Sequence, residues 1–149
     1  MTREMFRGKF GNEWKYGYLT VEPNGLWIKE PYLIGRSNTW HIDPKTVGRY
    51  TEMRDTYYEM IHEDDIVQFF GMRGRVEFVK GAFGIYVPRG IKWNELDKKV
   101  PFKNTPAFCR NNYFVSLWEL FWNFERDGNP LREVEVIGNI YDKAELLEG

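Results

Sequence analysis

The sequence predicts a mainly β protein with one helix: an N-terminal β lobe followed by a small barrel that a C-terminal strand closes. Three observations carry this. Glycines, prolines and the pair Asn24-Gly25 cut the first third of the chain into short runs of strand-forming residues. Runs such as Arg75-Val76-Glu77-Phe78-Val79 alternate polar and apolar side chains with the period of a strand. One stretch, Ser116 to Asp127, keeps its apolar residues at helical spacing instead.

The elements follow in order. Tyr16 to Val21 and Leu26 to Ile28 flank Glu22-Pro23-Asn24-Gly25, whose Pro and Asn-Gly are hairpin-turn chemistry, so Trp14 to Ile28 is a hairpin. Further strands run near Tyr32 to Ile34 and near Thr39 to Ile42. Asp43-Pro44 starts a turn, which leads through Gly48 into a short extended piece ending at Thr51. Residues 52–60 read as a connecting loop and place the lobe boundary. The N-terminal lobe is then 1–60 and the second lobe 61–149, which could also count together as a single domain 1–149.

In the second lobe, Asp65 to Phe69, Arg75 to Val79 and Ala82 to Val87 are strands, joined by Gly71-Met72-Arg73-Gly74 and by Lys80-Gly81. An acidic turn, a strand, a glycine loop, an alternating strand, a tight turn and another strand fit an SH3-like barrel. In such barrels a strand from elsewhere in the chain closes the edge, and Glu133-Val134-Glu135-Val136-Ile137 is the candidate. Residues 88–115, with Pro88, Pro101 and Pro106, form a long loop. Ser116 and Glu119 make a capping box for the helix 116–127, and Gly128-Asn129-Pro130 stops it.

Composition bounds the class. Charged residues are 29% and hydrophobic ones 42%, the balance of a soluble globular chain. Aromatic residues reach 17%, which predicts a core built on rings as much as on aliphatic side chains. No apolar run approaches the ~18 residues of a membrane span, and the charged N-terminus is no signal peptide. The single cysteine, Cys109, excludes an internal disulfide and suits a reducing cytoplasm. The net charge of −1 is uneven: residues 61–115 carry nine Lys and Arg against six acids, residues 116–149 three against eight. A basic middle beside an acidic tail fits nucleic acid or self-association.

Catalytic chemistry is sparse. His41 and His62 are the two histidines, and nothing around Cys109 would activate its thiol. His62-Glu63-Asp64-Asp65 is the densest set of metal-type ligands, but in an extended chain His62 and Asp64 face away from Glu63 and Asp65. The set reads as an acidic turn leading into a strand, with no metal and no cofactor. No phosphate loop, nucleophile elbow or zinc spacing occurs. An enzyme using Cys109 or the His62/Asp64 cluster is the alternative from another class.

Two features suit binding. The loop 88–115 holds Arg89, Lys92, Lys98, Lys99, Lys103 and Arg110 against Glu95 and Asp97, with Trp93, Phe102 and Phe108 interleaved. Cations meet phosphates and rings stack on unpaired bases, the logic of single-strand nucleic-acid binding. Trp118 and Trp122, one turn apart on the helix, widen its apolar face beyond what one buried side needs. They could pack inside the chain, on a second copy or on a protein partner.

Several blocks resemble the YopX family of phage and prophage proteins: Phe6-Arg7-Gly8, His41-Ile42-Asp43-Pro44-Lys45-Thr46-Val47-Gly48-Arg49-Tyr50-Thr51, Ile61 to Val67, Gly74 to Phe78, Gly81 to Ile85, and Glu135 to Glu148. They span nearly the whole chain in order. His62 and Asp64 stand where the family pattern has Tyr and Gly, and residues 88–115 look longer than its corresponding segment. The resemblance implies a phage or prophage origin and a bacterial cytoplasm, and it names no reaction. The expectation is an accessory protein acting by binding, to a host or phage protein or to nucleic acid through the basic loop. A self-associating structural protein is the alternative.

Overall fold

The computed structural model describes residues 6–30, 38–99, 105–124 and 133–148. The strand expected near Tyr32 to Ile34, the helix beyond residue 124 and its Gly128-Asn129-Pro130 stop lie outside them. The chain divides into two compact units, Met1–Glu52 and Met53–Gly149. Both are antiparallel β structures.

The first unit holds β1 (Phe6–Phe10), β2 (Glu13–Glu22), β3 (Gly25–Lys29) and most of β4 (Thr39–Arg54). The expected hairpin is β2–β3: Glu22 pairs with Gly25, leaving Pro23 and Asn24 as a two-residue loop. Besides β2, β1 also pairs with β4, so the pairings of β1 to β4 run round in a ring. Ile28 and Ile42 are buried inside it, and Gly8 is required because a Cβ there would overlap the Ile42 side chain.

The turn expected from Asp43 exists, but inside β4. Arg7 pairs with Gly48 and Lys9 with Asp43, so Pro44 to Val47 bulge out of the ladder. Thr46 fills the gap: its hydroxyl accepts from the Lys9 amide at 2.8 Å and donates to the Asp43 carbonyl at 2.7 Å. Pro44 has no N–H to give, and a bulge is where a strand tolerates it. The strand then runs on to Arg54 through residues expected to be loop.

The second unit contains β5 (Met60–His62), β6 (Asp65–Phe69), β7 (Met72–Val79), β8 (Ala82–Tyr86), β9 (Phe114–Ser116) and β10 (Val134–Asn139). Five of them form a sheet ordered β10-β6-β7-β8-β9. Its two hairpins turn at Phe70-Gly71 and Lys80-Gly81, all four residues at positive φ, the two-residue turn that matches strand twist; Met72, Arg73 and Gly74, expected as loop, therefore pair with β6 as the start of β7. The C-terminal strand joins as expected, with Val134 opposite Phe69 and Val136 opposite Val67.

Segment 88–115 is not one loop. It contains α1 (Trp93–Lys99), a 3₁₀ turn at Ala107–Cys109 and most of β9. The apolar spacing that makes α1 a helix is short, resting on the fully buried Leu96. The longer helix, α2 (Leu117–Phe124), starts where expected, its Ser116 hydroxyl accepting from the Glu119 amide at 2.9 Å. One face of the sheet, α1 and α2 enclose a core of Val67, Phe69, Met72, Val76, Ile85, Val87, Leu96, Val115, Leu117, Leu120 and Val134. That core is aliphatic, not aromatic: Phe69 is the one ring among the described buried hydrophobics.

Asp55 ties the C-terminal strand in place. It is 1% exposed, and its carboxylate accepts from the amides of Tyr57 at 2.8 Å, Glu59 at 2.9 Å and Val136 at 2.9 Å. Asp55→Ala leaves three amides without their acceptor, at ~3 kcal/mol or more for bonds to a buried charge. Urea unfolding should show that loss, with Asp55→Asn recovering part of it; a cost near zero would remove Asp55 from this role.

Glu119 gives a pH-dependent check. Burial raises its carboxyl above the ordinary value, while hydrogen bonds from the Ser116 side chain and backbone pull it back down. Since the folded value is the higher one, the folded chain binds the proton first, and stability from this group rises on acidification and is lost as pH rises through the folded pKa. Glu119→Gln keeps the cap and removes the titration. The unfolding free energy of wild type minus variant should therefore increase from neutral pH down towards ~4. A difference that stays flat, or falls, contradicts the assignment.

Candidate functional site

In the five-stranded sheet, strand alternation sends Met72, Gly74 and Val76 of β7 to the core side and Arg73, Arg75 and Glu77 to the other. Register adds Gln68 opposite Arg73, Tyr86 opposite Arg75 and Phe114 opposite Tyr86 on that same outer face. Gly84 has no side chain because a Cβ would overlap the Phe114 ring and the Val115 carbonyl; its absence lets that ring lie over the strand.

Two loops rim the face. Val87 to Ile91 is fixed by backbone bonds from Val87 to Tyr113 at 2.7 Å, Gly90 to Val87 at 2.9 Å and Ile91 to Asn112 at 2.7 Å. Gly90, at φ 91°, makes the reversal that leaves Arg89 and Lys92 exposed on either side of it. The other rim is the 3₁₀ turn Ala144–Leu147, where the Leu146 carbonyl accepts from Arg73 at 3.3 Å.

These pieces enclose a pocket of about 250 Å³ bordered by Arg73, Arg89, Lys92, Leu146 and Leu147. Arg73 donates to two neutral acceptors, Gln68 and Leu146. Among the described residues no carboxylate pairs with Arg73, Arg89 or Lys92. Pro88 and Leu147 also border a second hollow, a groove of about 550 Å³ walled by Arg75, Glu77, Tyr86, Tyr113 and Phe114. Tyr86 and Tyr113 are 40% and 49% exposed, their ring centroids 6.3 Å apart. Arg75 and Glu77 pair at 3.2 Å, so the groove's charges offset one another. Chemically, one end offers unpaired cations and the other flat aromatic surface.

The structure divides the basic set read from 88–115. Arg89 and Lys92 reach the pocket. Trp93 is turned to structural use, its Nε1 donating to the Asn111 carbonyl at 2.8 Å with the Arg110 guanidinium 4.9 Å over the ring. Arg110 forks onto Asp97 at 2.9 and 3.1 Å, and Lys98 pairs with Glu95 at 3.3 Å. The Lys99 side chain, Lys103 and the Cys109 side chain lie outside the described residues. Arg73, Tyr86 and Tyr113 were missed; the signal that could have found Arg73 is the β7 alternation extended two residues back from Arg75.

The acidic turn is structural. His62 is 2% exposed and its amide donates to the Asp65 carboxylate at 2.7 Å. Asp64 sits at φ 70°, so the segment is not extended there, and its carboxylate accepts from the Tyr141 hydroxyl at 2.9 Å. The described residues hold no group of three or more His, Cys, Asp and Glu able to bind a metal. No helix among them is long and apolar enough to cross a membrane. On α2, Trp118 and Trp122 are 55% and 54% exposed and stack at 5.8 Å, with Phe121 5.0 Å from Trp118.

The C-terminal block locks onto this turn: the Ile140 amide donates to the Asp64 carbonyl at 3.0 Å, and Asn139 Oδ1 accepts from Tyr141 at 3.0 Å and Asp142 at 2.9 Å. A β-rich protein of two antiparallel sheets, closed by a signature C-terminal turn, is the class this geometry defines. The family model described as YopX protein matches residues 12–148, and the chain belongs to the YopX family. The crystal structure of protein YopX from Bacillus subtilis is similar in fold, with a TM-score of 0.53 at 15% identity over 98% of this chain and 99% of that one. No curated protein matches the chain.

Proposed function

We propose that this is a phage- or prophage-encoded accessory protein that acts in the bacterial cytoplasm by binding nucleic acid. The second unit serves as an SH3-like platform, and its outer sheet face is the contact surface. One observation carries the reading: Arg73, Arg89 and Lys92 converge on one pocket with no described carboxylate among them. Cations held together against their mutual repulsion, with no described carboxylate paired to them, fit an anionic ligand. Catalysis fits less well, because His62 is buried and Asp64 is engaged by Tyr141.

Anisotropy of labelled single-stranded and duplex oligonucleotides across a salt series tests this. Affinity should fall linearly on log–log axes, and Arg89→Glu with Lys92→Glu should weaken binding at least about tenfold while reducing the slope by roughly 1.5. An unchanged variant would move the contact elsewhere on the chain. Absence of binding at low salt would end the nucleic-acid reading.

A second reading, self-association, has its own observation in the exposed Trp118–Phe121–Trp122 stack. Sedimentation of wild type should show a dimer that Trp122→Glu returns to monomer. A wild-type monomer at high concentration, or a dimer indifferent to the substitution, excludes that face.

A further inference from the structure

The outer face separates its chemistry in space. Cations border the pocket, while the adjoining groove carries exposed rings and a self-neutralised Arg75–Glu77 pair. A surface for duplex nucleic acid needs cations spread along both phosphate rows and has little use for rings, since paired bases keep their faces stacked on one another. Here the neutralised Arg75–Glu77 pair would offer a phosphate in the groove no net attraction, and Tyr86, Tyr113 and Phe114 would have nothing to stack on in a duplex. The two hollows share Pro88 and Leu147, so they are adjacent and a single ligand can occupy both. At about 250 Å³ the pocket falls below the ~300–1,000 Å³ usual for a small-molecule site and suits an end group better than a whole ligand.

Building on the nucleic-acid reading above, we infer that the ligand is a single strand. A backbone phosphate sits among Arg73, Arg89 and Lys92, and an unpaired base lies on the Tyr86/Tyr113/Phe114 surface. The polarity of a nucleotide, anionic at one end and flat and aromatic at the other, matches the polarity of the face. Tyr86 and Tyr113 stay 40% and 49% exposed, leaving their ring surface open to a ligand. An acidic protein segment would use the cations and leave the rings without a role.

The test compares four probes on the folded full chain: oligothymidylate, a blunt duplex of the same length, an abasic deoxyribose-phosphate strand of the same length, and polyglutamate. Oligothymidylate should bind about tenfold or more tighter than the abasic strand, the effect that one stacked base supplies. Tyr86→Ala with Tyr113→Ala should bring oligothymidylate down to the abasic level and leave abasic binding unchanged. Arg89→Glu with Lys92→Glu should weaken both. Duplex or abasic strand bound as tightly as oligothymidylate would overturn the single-strand inference while leaving nucleic-acid binding standing. Polyglutamate bound as tightly as oligothymidylate would overturn it in favour of acidic protein, and no binding by any probe removes both readings. The abasic comparison uses wild type, so the result does not hang on how the tyrosine variants fold.

Discussion

The buried carboxylate of Asp55 is the constraint on which the second unit depends. Its acceptors are shared between a local turn, through Tyr57 and Glu59, and a strand eighty-one residues away, through Val136. The Thr56 amide bonds the Val134 carbonyl at 2.8 Å beside it, so two bonds pin the start of β10. A strand of six residues with one ladder partner is weakly held by that ladder alone. Once β10 lies on β6, Val134 and Val136 cover Phe69 and Val67, and the C-terminal turn is carried across to β7. Without it the core would lose one wall and the pocket would lose Leu146 and Leu147.

The second dependency is the stack that holds the rim. Leu96 anchors α1 in the core, while Asp97 grips Arg110, Arg110 covers Trp93, and Trp93 bonds the Asn111 carbonyl. Asn111 in turn accepts from the amides of Tyr113 at 2.8 Å and Phe114 at 3.1 Å. A cation and a ring that could have faced solvent are spent on positioning the aromatic groove. A helix of seven residues is too short to be stable by itself, and these contacts explain why it forms.

Much of this was legible from sequence, for identifiable reasons. The β2–β3 hairpin, the strands β6 to β8, the capped start of α2 and the closing strand all follow from local signals: period-two alternation, Asn-Gly and Lys-Gly turns, and Ser116 with Glu119. What escaped depends on partners distant in sequence. Pro44 looks like the end of a strand until β1 is placed beside it and Thr46 bridges the bulge. The Asp55 clamp has no motif, because one of its donors lies in β10. The aromatic content pointed to a ring-built core, yet the described core is aliphatic and many rings are at the surface. Part of the pocket was in view, since Arg89 and Lys92 stand out as cations; Arg73 gained meaning only when the fold set all three on one pocket.

The three cations and two tyrosines of the candidate site lie outside the family blocks, while Arg75, Glu77, Leu146 and Leu147, which complete its walls, lie within them. Thr46 fills the bulge, Asp65 caps the His62 amide, Asn139 and Tyr141 fasten the C-terminal turn to Asp64. Each of these satisfies backbone groups or joins two elements, so each makes the fold rather than the surface chemistry. Arg73, Tyr86, Arg89, Lys92 and Tyr113 all fall outside those blocks, on a β7 position before Gly74 and on the segments after Ile85. They border the pocket and groove through exposed side chains, and the backbone under them is held by bonds that any side chain would permit. Function on such a protein is therefore a property of the residues set onto the frame. Chains sharing the same turns and the same C-terminal lock can carry different ligands on this face, or none.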